Sequence, residues 1–284
     1  MISIQRVSLA LGARVTGLDL SRDVSEEDWG MVLRAFHEYS LLIFPGQDLT
    51  VEQLKRFGGK FGPLDVNDHL LPVTVEGHPE CMVLHNNAEK PPGLNSWHTD
   101  NSGWPKPPLG TVLHAKITPP IGGDTMFSNM YAAFEALSAP MREFLAGLSG
   151  IHDVKKAFGP KYAELQRSLA KKGIDADENF AHHGVVEHPL VRVHPETLKK
   201  AIYVSGPYLT GVKDLSRREG EALLQFLYRH IETNEFVYRH AWSEGDLLIW
   251  DNRCTQHLAV ADYYPQERLM HRLNIAGEKP AGAS

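Results

Sequence analysis

The chain has 284 residues, of which 42% are hydrophobic and 23% charged, and its formal net charge is −6. These proportions are typical of a soluble globular protein, and the negative charge argues against a nucleic-acid partner, which would need a basic surface. No run approaches the roughly 18 to 20 apolar residues that cross a membrane, and no secretory signal is recognisable at the N-terminus. The only cysteines, Cys81 and Cys254, are too few for a disulfide framework and favour a cytoplasmic location.

Two helices are predicted near the N-terminus. One begins near Ser25 and runs to about Tyr39, and the other begins at Thr50, where Thr50 and Gln53 fit a capping box. Between them the apolar run 40–44 predicts a buried strand, because it is short and ends at a Pro-Gly pair.

From about residue 81 the pattern becomes rich in β-branched and aromatic residues, and Pro and Gly separate many of the runs. Short regular strands of this kind are typical of a sandwich or barrel. One further helix is predicted from the capping box at 216–219 and the apolar stripe over 223–231. The strands are predicted at 81–85, 111–117, 125–128, 190–193, 201–204, 236–242, 247–250 and 269–275.

The polar, charged segment 159–187 joins two of these strands. A connection of that length in a compact domain is usually a functional lid or disordered, and the alternative is a surface excursion without a role. We expect a partly helical lid within a single domain that covers residues 1–284.

His98 and Asp100 form an H-x-D motif in a strand-like stretch, where residues two apart project to the same side. With His257 far downstream they would make a set of two histidines and one carboxylate. That set leaves coordination positions open and is typical of non-haem Fe(II) oxygenases, which bind O₂ and a chelating co-substrate. The alternatives are an ordinary His–Asp hydrogen bond and a histidine that only satisfies a backbone carbonyl. We expect His257 on or just after the loop that follows the strand 247–250.

Arg268 and Arg272 are four residues apart in a predicted strand and would share a face. Buried arginines are costly unless an anion reaches them, and arginine holds a carboxylate by a bidentate pair that lysine reproduces poorly. The pair therefore favours an anionic co-substrate such as 2-oxoglutarate. The alternative is that both side chains lie on the outside of the sheet.

Taken in order, a series of short motifs resembles the taurine/2,4-dichlorophenoxyacetate dioxygenase family of Fe(II)- and 2-oxoglutarate-dependent enzymes. The resemblance covers nearly the whole chain and implies a mostly β fold with flanking helices, a double-stranded β-helix or jelly roll. The motifs are Gly17-Leu-Asp-Leu, Phe44-Pro-Gly-Gln, Phe61-Gly-Pro-Leu, Trp97-His-Thr-Asp, Gly122-Gly-Asp-Thr and the run from Trp250-Asp-Asn-Arg to Arg272.

The resemblance also implies roles for individual residues. Iron would be bound by His98, Asp100 and His257. The distal carboxylate of 2-oxoglutarate would be held by Arg268 with help from Thr125. His69 and Arg272 match the positions that hold the substrate's anionic group. Asn101 would lie beside the metal. Trp250 would be an aromatic near the metal or plain core.

The sequence departs from the taurine enzyme where that enzyme recognises the substrate amine, since those places hold Pro72, Gly93 and Leu94. Gly103 also stands where the taurine enzyme has an aromatic residue. We therefore expect a small organic anion without an amine: a sulfonate, a sulfate ester or an aryloxyalkanoate.

Three other functions remain open at this point: taurine dioxygenase proper, a zinc hydrolase that uses the same three ligands, and a catalytically silent binding module. For partners we expect only the small anion and O₂, no nucleic acid or membrane, and a homo-oligomeric assembly.

Overall fold

The computed structural model describes residues 1–66, 73–93, 96–159, 162–171 and 184–283. The protein is mostly β-strand with flanking helices, as expected. In the described part of the chain no helix has both the length and the apolar character needed to cross a bilayer.

The strands, in chain order, are β1 (Ser3–Arg6), β2 (Ala13–Thr16), β3 (Leu41–Phe44), β4 (Leu64–Asp65), β5 (Thr74–Val75), β6 (His78–Asn86), β7 (Gly110–Ile117), β8 (Thr125–Asn129), β9 (Ser149–Asp153), β10 (Val185–Pro189), β11 (Val191–Val193), β12 (Lys200–Ile202), β13 (Leu209–Val212), β14 (Val237–His240), β15 (Leu247–Asp251), β16 (Thr255–Ala259), β17 (Arg268–Ile275) and β18 (Ala281–Gly282).

The helices are α1 (Glu26–Tyr39), α2 (Val51–Gly59), α3 (Met130–Glu135), α4 (Ala139–Ala146), α5 (Val154–Phe158), α6 (Tyr162–Lys171) and α7 (Arg217–Ile231), with a 3₁₀ turn at Asn234–Phe236. The predicted capping boxes at Thr50 and Ser216 are both present. Each satisfies two backbone N–H groups that the first turn of a helix leaves without a partner.

One large sheet runs in the order β1-β2-β3-β15-β7-β17-β6-β5, with β4 paired to the end of β17. A smaller sheet, β14-β8-β16, supplies side chains to the same core cluster as one face of the large sheet. Two further three-stranded sheets, β10-β9-β13 and β12-β11-β18, complete the described strands.

Strands β3 and β15 show why their sequences are apolar throughout rather than alternating. In β15, Leu247 and Ile249 pack against the core cluster that includes α1 and α2, whereas Leu248 and Trp250 belong to the cluster shared with the small sheet. Successive side chains in a strand point to opposite faces, so a strand covered on both faces needs apolar residues at every position.

Several details differ from the sequence-based expectations. His257 is the third residue of strand β16, which directly follows the turn 252–254, and it pairs with Phe127 rather than lying on the loop itself. Strand β10 begins at Val185, so the end of the predicted insert 159–187 belongs to a sheet, and α6 lies within the insert. Strands β1, β2, β9 and β13 and helices α3 and α4 were not predicted, because their segments are short and lack clear periodicity.

Candidate active site

His98, Asp100 and His257 come together as predicted. One ligand atom from each residue lies within 4.8 Å of the others. The Nε2 atoms of His98 and His257 are 3.6 and 3.7 Å from Oδ1 of Asp100. A single antiparallel bridge between His98 and His257 fixes this arrangement, with backbone hydrogen bonds of 3.0 and 2.9 Å.

The ring of His98 is oriented by its own backbone neighbourhood. Nδ1 lies 2.9 Å from the carbonyl oxygen of Ser96, and because a carbonyl only accepts, Nδ1 carries the proton. The lone pair of Nε2 therefore faces Asp100 and His257, which is the tautomer that binds a metal through Nε2.

His257 is kept neutral by its surroundings. Burial, reinforced by His98, lowers the pKa of His257 to about 3. Its ring lies 4.7 Å from that of Trp250, centroid to centroid. Trp250 is almost fully buried and lines the cavity, so it packs directly on a candidate ligand and is core at the same time.

Asp100 is buried and remains ionised. Burial opposes ionisation, but Arg272 and then His257 outweigh burial and hold the pKa of Asp100 well below its usual range. Oδ2 accepts a 2.7 Å hydrogen bond from Oγ1 of Thr111, and Oδ1 lies 2.8 Å from Nη2 of Arg272. The carboxylate is therefore fixed from two strands, β7 and β17.

These residues fit a divalent metal. Adjacent ligand atoms around an ion with bonds of about 2.1 Å are roughly 3 Å apart, close to the separations between Asp100 and the two histidines. Two neutral imidazoles and one carboxylate suit Fe(II) and leave open positions. The donor set and its spacing thus agree with the iron expected from the sequence.

Arg268 is a buried cation of the site, at 5% exposure. Its Nε has no hydrogen-bond partner among the described residues, and burial lowers its pKa from the usual value. The guanidinium lies over the rings of Trp242 and Tyr263, at 5.7 and 5.9 Å. A buried guanidinium remains protonated, and desolvation makes this one a strong binder of a carboxylate.

Thr125 lines the same cavity as Arg268. Its Oγ1 accepts a 2.9 Å hydrogen bond from Nε1 of Trp242. The indole cannot accept, so the hydroxyl proton of Thr125 is available to another acceptor. Arg268 and Thr125 together therefore offer donors to one anion.

A cavity of about 330 Å³ connects these groups, a volume at the lower end of the range for small-molecule sites. Arg268 and Arg272 both line it, so their predicted common face points inward and the alternative of outward arginines is wrong. The full described lining is Val83, Leu84, His85, Asn86, Lys90, Pro92, Gly93, His98, Leu113, Thr125, Trp250, His257, Ala259, Val260, Ala261, Tyr263, Arg268 and Arg272.

The other predicted substrate residues are less completely seen. Asn101 is buried directly after Asp100, in the left-handed region at φ 47°. His69, Pro72 and Leu94 lie outside the described residues. Gly93 lines the cavity, and a Cβ added there would meet nothing within 4 Å.

Two neighbours of the site gave no recognisable signal in the sequence. Lys90 lines the cavity from the loop after β6, a segment that reads only as polar. Tyr208 packs where a side chain at Gly103 would lie, with its Cδ1 only 2.8 Å from an ideal Cβ there. Tyr208 thus takes up space next to the turn after Asp100.

A second group of potential ligands, His194, Asp251 and Cys254, is fully buried. Its polar atoms are already used: Asp251 accepts from His194 at 2.9 Å and from two nitrogens of Arg253 at 2.8 and 2.7 Å. A metal would have to displace the Arg253 ion pair, so this cluster is structural.

The comparisons with known proteins agree with this geometry. Residues 3–274 match the model of the family described as taurine catabolism dioxygenase TauD, TfdA family. The chain belongs to this family. With the triad and the buried arginine in place, it is a 2-oxoglutarate-dependent non-haem iron dioxygenase, whose cofactor is Fe(II) and whose co-substrate is 2-oxoglutarate.

Individual relatives cover almost the entire chain. It is 31% identical over 289 residues to an (S)-phenoxypropionate/alpha-ketoglutarate dioxygenase of Sphingobium herbicidovorans, covering 97% of this chain and 95% of that protein. It is 30% identical over 283 residues to an alpha-ketoglutarate-dependent sulfate ester dioxygenase of Pseudomonas putida, covering 99% and 91%. A crystal structure of a taurine dioxygenase from Burkholderia xenovorans aligns with a TM-score of 0.83 at 33% identity, covering 99% of this chain and 93% of that one.

Proposed function

We propose that this dioxygenase hydroxylates a small organic anion that carries no ammonium group: a sulfonate, a sulfate ester or an aryloxyalkanoate. The observation that carries the proposal is the charge of the cavity. Lys90, Arg268 and Arg272 line the cavity. Among the described residues no carboxylate lines it, although Asp100 lies beside it. An ammonium group would lose its hydration there without gaining a partner, at a cost of several kcal/mol.

The proposed roles divide the cavity between two anions. His98, Asp100 and His257 would hold the iron, which together with 2-oxoglutarate and O₂ supplies the oxidising chemistry. Arg268 and Thr125 would hold the distal carboxylate of the co-substrate by charge-assisted hydrogen bonds. The remaining proposed contacts are those to the substrate's anionic group, from Arg272, His69 and Asn101.

The protein would act chiefly by placement and by exclusion of water. Apolar residues such as Leu113 and Val260 line part of the cavity and would pack against the carbon that is oxidised. When the hydroxylated carbon also bears a sulfonate, sulfate or aryloxy group, the alcohol product would split into a carbonyl compound and that leaving group. The relatives named for phenoxypropionate and sulfate esters support this substrate range.

Two alternatives are weaker. Taurine dioxygenase proper is suggested by the name of the aligned structure, but the cavity offers the taurine ammonium no acidic side chain in the described lining. A zinc hydrolase with the same triad gives no use for Arg268 and would be active without O₂ and 2-oxoglutarate.

The test is a panel of taurine, amine-free alkyl sulfonates of similar length, sulfate esters and aryloxy acids. Substrate-dependent succinate release is measured at saturating 2-oxoglutarate. We expect an amine-free anion to have a higher kcat/KM than taurine. If taurine has the highest kcat/KM of the panel, the charge argument is wrong. Consumption of a panel compound without O₂ and without succinate release would instead support the hydrolase.

Further parts of the proposal concern the fold, the insert 159–187 and the assembly. The large sheet and the β14-β8-β16 sheet would form the double-stranded β-helix of the family, within a single domain over 1–284. The insert 159–187 would act as a lid beside the cavity. A homo-oligomeric state and a cytoplasmic location stay predictions.

A further inference from the structure

Two buried histidines lie side by side on adjacent strands, outside the site described above. His152 is in β9 and His188 is in β10, and their exposures are 0% and 1%. His152 pairs with Val186, and His188 with Gly150, so the two rings are diagonal neighbours on one face. Their centroids are 5.1 Å apart at an interplanar angle of 67°.

Both rings bind the turn that follows Asp100. Nδ1 of His152 lies 3.2 Å from Oγ of Ser102, and Nε2 of His188 lies 2.8 Å from the carbonyl oxygen of Trp104. Because a carbonyl only accepts, the Nε2 of His188 carries its proton. Two adjacent strands of one sheet therefore bond to Ser102 and Trp104 of a single turn.

The surroundings of His152 favour a neutral ring. Its Nε2 has no hydrogen-bond partner among the described residues. The space beside Gly150 is lined by this nitrogen and by the Cδ2 atoms of Leu190 and Leu209. An N–H pointing into this apolar space would cost more than a lone pair. The proton is therefore best placed on Nδ1, from which His152 donates to Ser102.

The shape of this turn requires fixation by its surroundings. It starts at Asp100, passes through Asn101 in the left-handed region, and closes with a 2.9 Å hydrogen bond from the Trp104 N–H to the Asn101 carbonyl. A left-handed backbone at a non-glycine residue is strained and persists only when its surroundings fix it. The backbone of Asp100 is set by this same short segment, whereas its carboxylate is also held by Thr111 and Arg272.

We infer that His152 and His188 are positioning residues, which fix the turn 100–104 and thereby place Asp100 at the metal position. The inference rests on the proposed role of Asp100 as a metal ligand. Groups that orient a metal ligand without touching the metal typically change its affinity by about 10- to 100-fold when removed.

Conservative and disruptive variants separate positioning from simple packing. An asparagine amide can replace the Nδ1–H of His152, and a glutamine amide can replace the Nε2–H of His188. His152→Leu and His188→Leu remove the hydrogen bond and keep an apolar side chain. We expect the Leu variants to bind Co(II) about 10-fold or more weakly, with an altered electronic spectrum, whereas His152→Asn and His188→Gln stay close to wild type.

A buried histidine elsewhere supplies the matched control. His114 is also fully buried and bonds a backbone carbonyl, that of Gln47 at 2.7 Å, but it lies outside the turn. His114→Leu should lose stability, measured by denaturant unfolding, without changing the Co(II) affinity of the folded protein.

The outcomes are distinct. If His152→Leu and His188→Leu bind Co(II) with wild-type affinity and spectrum while Asp100→Ala does not, the positioning role is refuted and the metal site stands. If Asp100→Ala itself binds Co(II) normally, the proposed metal site fails first. Weakened binding in the Leu variants, rescue by the amide variants and no effect from His114→Leu support the inference.

Discussion

Nη2 of Arg272 lies 2.8 Å from Oδ1 of Asp100, so the guanidinium that faces the cavity also touches the carboxylate of the metal site. The Nε of Arg272 donates a 3.1 Å hydrogen bond to Oδ1 of Asn274, which fixes the side chain along β17. Arg272 is 18% exposed, so this charge is partly shielded from water. A substrate anion that binds Arg272 would therefore change the electrostatic surroundings of Asp100.

This contact gives opposite expectations for the metal and the substrate. In Arg272→Gln the substrate anion loses its charged partner, and we expect its KM to rise by about 10-fold or more. The metal loses a repelling cation beside its carboxylate, so its affinity should stay equal or increase. Substrate kinetics and Co(II) titration of the same variant check both. A weakened Co(II) affinity with unchanged substrate KM would contradict the assignment.

Alanine variants test the three proposed metal ligands. His98→Ala, Asp100→Ala and His257→Ala should each abolish 2-oxoglutarate-dependent succinate release while the protein stays folded by circular dichroism. Replacing one of three donors removes a bond that the remaining side chains do not supply. The control is His78→Ala, which alters a partly exposed histidine of an H-x-E motif paired with Glu52. Turnover near the wild-type value in any triad variant with iron loaded would refute the site.

Arg268 is proposed to bind the co-substrate rather than the substrate. In Arg268→Ala the distal carboxylate of 2-oxoglutarate would be buried without its partner, a loss on the order of 2 to 5 kcal/mol. We expect the KM for 2-oxoglutarate to rise about 30-fold or more, and Arg268→Lys to restore only part of it, because lysine lacks the bidentate geometry.

The matched control for Arg268 is Arg239→Ala. That side chain is half-exposed and paired with Asp124 on the outside of the small sheet. Its removal should leave the KM for 2-oxoglutarate unchanged. An unchanged KM in Arg268→Ala would show that another cation holds the carboxylate.

The grouping of His98, Asp100 and His257 could be predicted from the sequence because metal chemistry limits the possible residue types and spacing. An H-x-D pair with a distal histidine has few roles, and two arginines four apart in a strand share a face. The contact between Arg272 and Asp100 could not be predicted, since it depends on the side-chain conformations of residues in different strands. His152 and His188 gave no signal either, because their partners are a serine hydroxyl and a backbone carbonyl.

The fold was predictable where periodicity and capping were strong. Helices α1, α2 and α7 have clear N-terminal caps, and β15 is a short apolar run between turns. Strand β9 was missed because Ser149–Asp153 is mixed polar and apolar, and its buried histidine is stabilised only by tertiary contacts. Tertiary burial of this kind overrides local propensity.

The buried histidines also predict how stability changes with pH. Burial lowers the pKa of His188 to about 4 from a usual value of 6.5, and the charges of Arg192 and Lys279 act in the same direction, although its bond to the Trp104 carbonyl opposes them. Between these two values the unfolded chain binds a proton that the folded chain does not. The free energy of unfolding therefore falls as pH falls, by up to about 1.4 kcal/mol per pH unit for this group.

Denaturant unfolding of the wild type and His188→Gln at pH 7.5, 6.0 and 5.0 checks this slope. We expect His188→Gln to have a shallower loss of stability over that range, because glutamine does not titrate. Asp251 does not interfere: Arg253 outweighs burial and lowers the pKa of Asp251, so its contribution is lost only below the usual carboxyl range. Parallel slopes for the two proteins would show that the pKa of His188 is the same in the folded and unfolded chains, contrary to this expectation.

Gly103 tests how tightly the turn after Asp100 is packed. A Cβ at Gly103 would lie 2.8 Å from Cδ1 of Tyr208 and 2.8 Å from Cγ2 of Val154, closer than real Cβ contacts. Overpacking of this kind costs about 1 to 3 kcal/mol, so Gly103→Ala should lower the free energy of unfolding by that amount. Because the turn after Asp100 would shift, we also expect a lower kcat with an amine-free substrate.

Gly93→Ala is the control for Gly103→Ala, since a Cβ at Gly93 meets nothing within 4 Å. In Gly103→Ala combined with Val154→Ala part of the stability should return. Equal stability of Gly103→Ala and Gly93→Ala would mean that Tyr208 and Val154 move aside without cost, and that this contact does not define the wall of the site.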